Sequence, residues 1–235
     1  MAELLLVHGS CHGAWCWRDT LPALERLGHT ARAIDLPSHG DDPTPAAEVT
    51  LDLYAEAIAA AASPGTVLVA HSMAGYPATR AAQLAPERFA RLIYLCAYVP
   101  VPGMTLADLR RSSPNQPLVE AIRKAPDGQT MTIDPAMAAE KFYHDCAPDT
   151  AAWAVSMLGS QPLRPQETPF PEGPMPEVPR SYIRCAEDRT IDPALQAEMA
   201  AELPEADRHE MQTGHSPFFA DPEGLARLLD RIVKD

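Results

Sequence analysis

Six short, mostly apolar runs recur along this chain: Leu4–Val7, Thr30–Leu36, Thr66–Ala70, Leu92–Cys96, Ser181–Cys185 and a last one near Asp207–Met211. Runs of this length, bounded by Gly, Pro and polar residues, read as buried strands. Stretches with helical spacing separate them. From about Ala14 to Leu27, Trp17, Leu21, Leu24 and Leu27 share one face, and Gly28 stops the helix. Further helices are expected over 51–62, 73–84 and 192–203, the last with Asp192 as N-cap and Pro193 in the first turn. A final helix from about Asp221 carries Leu225, Leu228, Leu229 and Ile232 on its buried face. Alternating strands and helices imply the α/β class, a mainly parallel sheet of about six strands flanked by helices. Sites in such sheets lie at the carboxyl ends of the strands.

Residues 100–179 break this rhythm. They hold more than half of the chain's 25 prolines, and no clear strand stands out among them. Short helices are expected around 105–111, 135–145 and 150–158, with a Pro-rich tether from Pro162 to Pro179. Phe142, Tyr143, Trp153, Met157 and Leu158 supply more apolar bulk than a disordered loop would carry. The segment therefore reads as a helical cap inserted into a core made of 1–99 and 180–235.

A formal charge of −13 argues against nucleic acid and anionic membrane surfaces, which attract basic patches. It also disfavours anionic substrates at a distance, unless a local pocket overrides it. Five cysteines form neither an even set nor a small-scaffold spacing, so a reducing, cytoplasmic setting without disulfides is expected. Cys11 and Cys16 have no second pair to complete a zinc site, and no metal is expected. The apolar run at Leu4–Val7 is too short for a signal core or a membrane span, and no basic stretch precedes it.

The richest chemistry lies in Val67-Leu68-Val69-Ala70-His71-Ser72-Met73-Ala74-Gly75. An apolar strand runs into a serine with small residues two positions either side, then into a helix. A nucleophile elbow needs this context, because bulk at Ala70 or Ala74 would collide where strand and helix pass closely. Alanine replaces both glycines of the usual G-x-S-x-G pattern. A serine needs a base, and the base needs an orienting acid. His215, in a loop after the last strand, and Asp188, just after the preceding strand, supply them in the hydrolase chain order. Glu187 and Asp192 compete for the acid role, but Asp192 is better explained as a helix cap and Glu187 as a solvated charge. His71 adjoins the serine but should point away from it, and His29, His39, His144 and His209 read as surface polar groups.

An oxyanion formed at Ser72 needs aimed N–H donors. The turn His8-Gly9-Ser10-Cys11-His12-Gly13 can offer the Ser10 N–H, and the helix start can offer that of Met73. His8 and His12 are better read as holding this turn by hydrogen bonds than as catalytic groups. Gly9 and His12 are candidate substrate contacts, as are Phe142, Tyr143, Trp153 and Met157 from the insertion.

Leu6-Val7-His8-Gly9-Ser10-Cys11-His12-Gly13-Ala14-Trp15-Cys16-Trp17 resembles the opening of the plant methylesterase and hydroxynitrile lyase family of α/β-hydrolases, whose bacterial relatives include carboxylesterases and pyrethroid hydrolases. The similarity extends through Asp35-Leu36-Pro37, the Ser72 elbow, Arg184-Cys185-Ala186-Glu187-Asp188 and Gly214-His215. Phe142-Tyr143-His144-Asp145-Cys146 and Gln161-Pro162-Leu163 are similar to bacterial members. The resemblance implies a serine hydrolase that needs no metal or organic cofactor and acts on a small-molecule ester. It leaves room for a homodimer, although no interface signature is visible. Lyases of this family carry Thr or Asn after the first-strand His and often Lys after the triad His. Gly9 and Ser216 stand there instead, so the resemblance favours an esterase over a lyase or a non-catalytic ligand-binding member.

Overall fold

The computed structural model describes residues 1–234; Asp235, the end of the second expected core segment, lies outside the described residues. From the N-terminus run β1 (Glu3–Val7), α1 (Thr20–Arg26), β2 (Thr30–Ile34), α2 (Leu51–Ala61), β3 (Thr66–His71), α3 (Gly75–Leu84) and β4 (Phe89–Leu95). Next come α4 (Leu106–Ser112), β5 (Ile122–Lys124), β6 (Thr130–Ile133), α5 (Pro135–Phe142), α6 (Pro148–Met157), β7 (Gln161–Pro162) and α7 (Arg164–Glu167). The chain then closes with β8 (Arg180–Cys185), α8 (Pro193–Ala201), β9 (Arg208–Met211), α9 (Pro217–Ala220) and α10 (Pro222–Lys234).

Six strands form one sheet in the order β2-β1-β3-β4-β8-β9, and every pairing is parallel. Their alternation feeds two cores. Leu5, Val7, Leu68, Ala70, Leu92 and Tyr94 join Tyr54, Ile58, Ala78, Ala81 and Met199 of α2, α3 and α8. Leu4, Leu6, Val67, Val69, Ile93 and Leu95 join Leu24, Leu225, Leu229 and Ile232 of α1 and α10 on the other face. Both faces being covered explains why β1 is apolar without interruption from Leu4 to Val7 and β3 from Val67 to Ala70. It also sets β3, buried along its whole length, inside the sheet with its carboxyl end at Ser72.

Two expectations are corrected. The first helical stretch is a 3₁₀ turn, Ala14–Trp17, followed by α1, and a 3₁₀ turn at Ser72–Ala74 likewise precedes α3. Residues 100–179, where no strand stood out, contain a small antiparallel sheet in the order β5-β6-β7. Its strands are two to four residues long, and β5 reads Ile-Arg-Lys, so no apolar run betrays it. The signal was the turn Pro126-Asp127-Gly128, with Gly128 at φ 70°, followed by alternating burial of Met131 and Ile133 against exposed Thr132.

Candidate active site

Ser72 directly follows β3 with φ 56°, in the left-handed region where a non-glycine residue is strained by about 1–3 kcal/mol. The neighbouring chain holds it there: the Tyr98 N–H donates to the Ser72 carbonyl at 3.1 Å. Ala70 and Ala74 are fully buried, so methyl groups fit where the usual pattern has glycines. The tightest approach falls one residue later. A Cβ on Gly75 would lie 2.1 Å from the Tyr98 carbonyl oxygen.

The structure brings the three expected residues together. His215 Nε2 lies 3.1 Å from Ser72 Oγ, and His215 Nδ1 lies 2.8 Å from Asp188 Oδ2. Both side chains of the His215–Asp188 pair are almost completely buried. Asp188 also accepts from the Thr190 and Ile191 N–H groups at 2.6 and 2.9 Å and from Gln196 Nε2 at 2.8 Å. These donors hold the carboxylate, and the carboxylate orients the imidazole so that Nε2 faces the serine as acceptor. Asp192 caps α8 through the Ala194 N–H, and Glu187 is exposed. His71 Nε2 donates to the His215 carbonyl at 2.9 Å, bracing the base from behind, and burial pushes its basicity well down.

Ser10 lines the space over Ser72, and Met73 is the second residue of the 3₁₀ turn that Ser72 opens, where backbone N–H groups lack intrahelical partners. Gly9 contributes by what it lacks: a Cβ there would meet Ser72 Cβ at 2.8 Å and His71 Nδ1 at 2.9 Å. His12 Nδ1 donates to the Ser10 carbonyl at 2.8 Å, and its Nε2 accepts from the Tyr143 hydroxyl at 2.8 Å. Burial pushes His12 down to about 3, so the ring stays neutral and structural. His8 similarly bridges the Gly9 carbonyl and the Leu36 N–H.

The cavity over Ser72 is small, about 20 Å³, room for roughly one water, so an ester enters only if lining side chains give way. His12 and Phe142 line it, and Phe142 stacks on His215 at 5.7 Å. Gly9, Tyr143, Trp153 and Met157 do not, against expectation. Tyr143 is spent on His12. Trp153 packs on Trp15 and Phe219 and lies under the Arg18 guanidinium. Met157 faces a separate cavity of about 500 Å³ beside Trp15, Asp35 and His39, with His12 as the shared wall. In an insertion, aromatic and Met residues serve packing as readily as pockets. Unforeseen lining residues are Tyr98, Leu106, Arg110, Leu118, Met131, Gln166 and Thr190, together with His71, which was expected to point away from the serine. Gln166 donates to Ser10 Oγ at 2.9 Å, a contact across the fold that no local pattern signals.

His29 and His39 are buried rather than superficial. His29 bridges the Ala2 N–H and Asp230, and His39 meets Gln161 and the Tyr54 hydroxyl. Among the described residues, His71, Cys96 and His215 bring donor atoms within 4.8 Å, the one grouping close enough to bridge a metal ion. Their chemistry does not suit it: the His215 nitrogens face Ser72 and Asp188, His71 Nε2 and Cys96 Sγ turn to the His215 carbonyl, and burial pushes the Cys96 thiol well up.

Residues 4–228 match the alpha/beta hydrolase family. The chain is 30% identical to Esterase PIR7B of Oryza sativa subsp. japonica, covering 98% of this chain and 95% of that one. It is 28% identical to Methylesterase 4 of Arabidopsis thaliana, over 98% and 96%. Among solved structures, a pyrethroid hydrolase from Sphingobium faniae JZ-2 superposes with a TM-score of 0.87 at 26% identity, covering 99% of this chain and 97% of that one. The parallel sheet with its flanking helices is thus the α/β-hydrolase fold.

Proposed function

The chain belongs to the alpha/beta hydrolase family, and we propose that it is a serine hydrolase of carboxylic esters that works through an acyl-enzyme on Ser72. The observation that carries this reading is the continuous relay from Ser72 Oγ to His215 (3.1 Å) and from His215 to Asp188 (2.8 Å). Ser72 attacks the ester carbonyl while His215 Nε2 takes its proton, and buried Asp188 stabilises the imidazolium without itself becoming protonated. The oxyanion rests on the Ser10 and Met73 N–H groups. The alcohol leaves with the proton from His215, and water releases the acid by the same steps. Residues 100–179 act as a cap, since Leu106, Leu118, Met131 and Phe142 close the cavity from that segment.

Cyanohydrin cleavage lacks the lysine after the base that lyases resembling this chain often carry. No lysine is among the residues lining the cavity, and fully buried Ser216 follows His215. A cytoplasmic setting suits five cysteines that are all free. Among the described residues no helix is long and apolar enough to cross a membrane.

The test is hydrolysis of p-nitrophenyl esters from acetate to octanoate, with Ser72→Ala as control. Turnover peaking at one chain length and vanishing in the variant is expected. Failure at every length, with no labelling of Ser72 by a fluorophosphonate, would overturn the reading.

A further inference from the structure

We propose that the Ser72 cavity selects small esters carrying a second, ionised carboxyl group, and that the Arg110 guanidinium is the group that binds it. This rests on the esterase reading and names its substrate class. Arg110 is the only Asp, Glu, Lys or Arg among the residues lining the cavity, and it projects there from α4 of the inserted segment. Its Nε is buried and has no hydrogen-bond partner. Among the described residues no carboxylate pairs with it, although the chain has 32 acidic residues against 19 lysines and arginines.

The neighbouring arginine sharpens the contrast. Arg111, one residue on, faces solvent and pairs with Asp108 at 2.8 Å. A buried guanidinium donor left unmatched is expensive unless a ligand completes it. The surroundings raise what such a ligand gains: Leu106, Leu118, Met131 and Phe142 wall the cavity with apolar groups. In that medium a carboxylate–guanidinium pair is stronger than at the surface, and the planar fork suits carboxylate geometry. The acidic exterior repels anions at long range, so recognition must come from this one local charge.

The experiment compares kcat/KM for paired substrates on one enzyme. Monomethyl esters of four- to six-carbon dicarboxylic acids place the carboxylate on the acyl side, and O-acetyl glycolate or lactate places it on the alcohol side. Each is paired with a neutral counterpart whose free carboxyl is capped as an amide. Wild type should favour the anionic member of at least one pair by about tenfold or more, the scale of a charge-assisted hydrogen bond. The arm that shows the preference identifies which half of the ester faces Arg110. In Arg110→Gln the preference should fall to about unity, Arg110→Lys should keep part of it, and Arg110→Glu should invert it toward ammonium-bearing esters. A ratio within one enzyme is insensitive to partial misfolding. p-Nitrophenyl butyrate runs in parallel. If wild type cleaves it but shows no anionic preference, or if the preference survives in Arg110→Gln, this inference falls and the esterase reading stands. No turnover of any ester overturns both.

Discussion

The carboxamide of Gln196 stands 2.8 Å from Oδ2 of Asp188, the same oxygen that accepts from His215. The other end of that carboxamide accepts from the Cys185 N–H at 3.0 Å, so one fully buried side chain from α8 ties the carboxylate to the end of β8. Gln196 is a positioning residue that acts through Asp188. In Gln196→Leu the carboxylate loses a donor and the Cys185 N–H loses its acceptor. The expected result is a fall in kcat of about tenfold with KM little changed, and about 2 kcal/mol of stability lost. Steady-state kinetics with a urea titration would separate the two effects. A change in KM alone would mean that Gln196 does not act through the triad.

Gly75 and Gly9 should fail differently when changed to alanine. At Gly75 the added Cβ meets a backbone carbonyl at 2.1 Å, so α3 must move away from residues 97–98. That should destabilise the fold by about 3 kcal/mol or more. At Gly9 the clash is with Ser72 Cβ and the His71 ring, so the elbow itself is displaced. There kcat should fall further than the urea midpoint predicts. Ala74→Gly, restoring the usual pattern, should cost less than either.

Ser72, Asp188 and His215 were visible in the sequence because each sits at a strand end, in a local pattern that core packing alone does not require. The all-parallel sheet was visible for a related reason: strands buried on both faces are apolar throughout. Arg110, Gln166 and Gln196 could not be found in this way. Gln166 matters through Ser10, 156 positions away, and Arg110 through the partner its Nε lacks. Gln196 reaches back only to Asp188 and Cys185, yet it looks like any polar residue on a helix. None of these roles is a property of the local sequence. The strands β5 and β6 escaped because they are three and four residues long: the Ile-Arg-Lys of β5 lacks apolar contrast, and the alternation in β6 covers only Met131 and Ile133. Trp153 misled because bulk in an inserted segment says that something is packed, without saying against what.

Acid should unfold this protein through its buried histidines. Burial pushes His12 down to about 3, and His8, His39 and His71 are also lowered from the ordinary value near 6.5. Between those limits the unfolded chain binds protons that the folded ring refuses, so stability is complete above pH 6.5 and declines as pH falls toward 3. Each such ring removes up to about 1.4 kcal/mol per pH unit. Urea titrations from about pH 7.5 to about 4.5 should show this slope, and His12→Gln should flatten it by up to one proton. An unchanged slope would mean that His12 already carries a proton in the folded state.

Phe142 and Trp153 provide the sharpest contrast within the inserted segment. Phe142 is buried, lines the cavity and lies nearly parallel to the His215 ring, at 28° and 5.7 Å between centroids. A smaller side chain there opens space beside the base and lets the imidazole tilt away from Ser72. Phe142→Leu should therefore lower kcat/KM by about tenfold while the protein remains folded, because the swap keeps most of the apolar volume. Trp153 touches neither Ser72 nor His215; it carries the Arg18 guanidinium at 3.7 Å and packs edge-on against Trp15 and Phe219. Trp153→Phe should leave kcat/KM within about twofold and cost about 1 kcal/mol from the weakened cation–π contact. Kinetics and melting of the two variants side by side decide the matter. If Trp153→Phe proved the more damaging to turnover, the packing of α6 on Trp15 and Phe219 would have to set the site's geometry more strongly than Phe142 does.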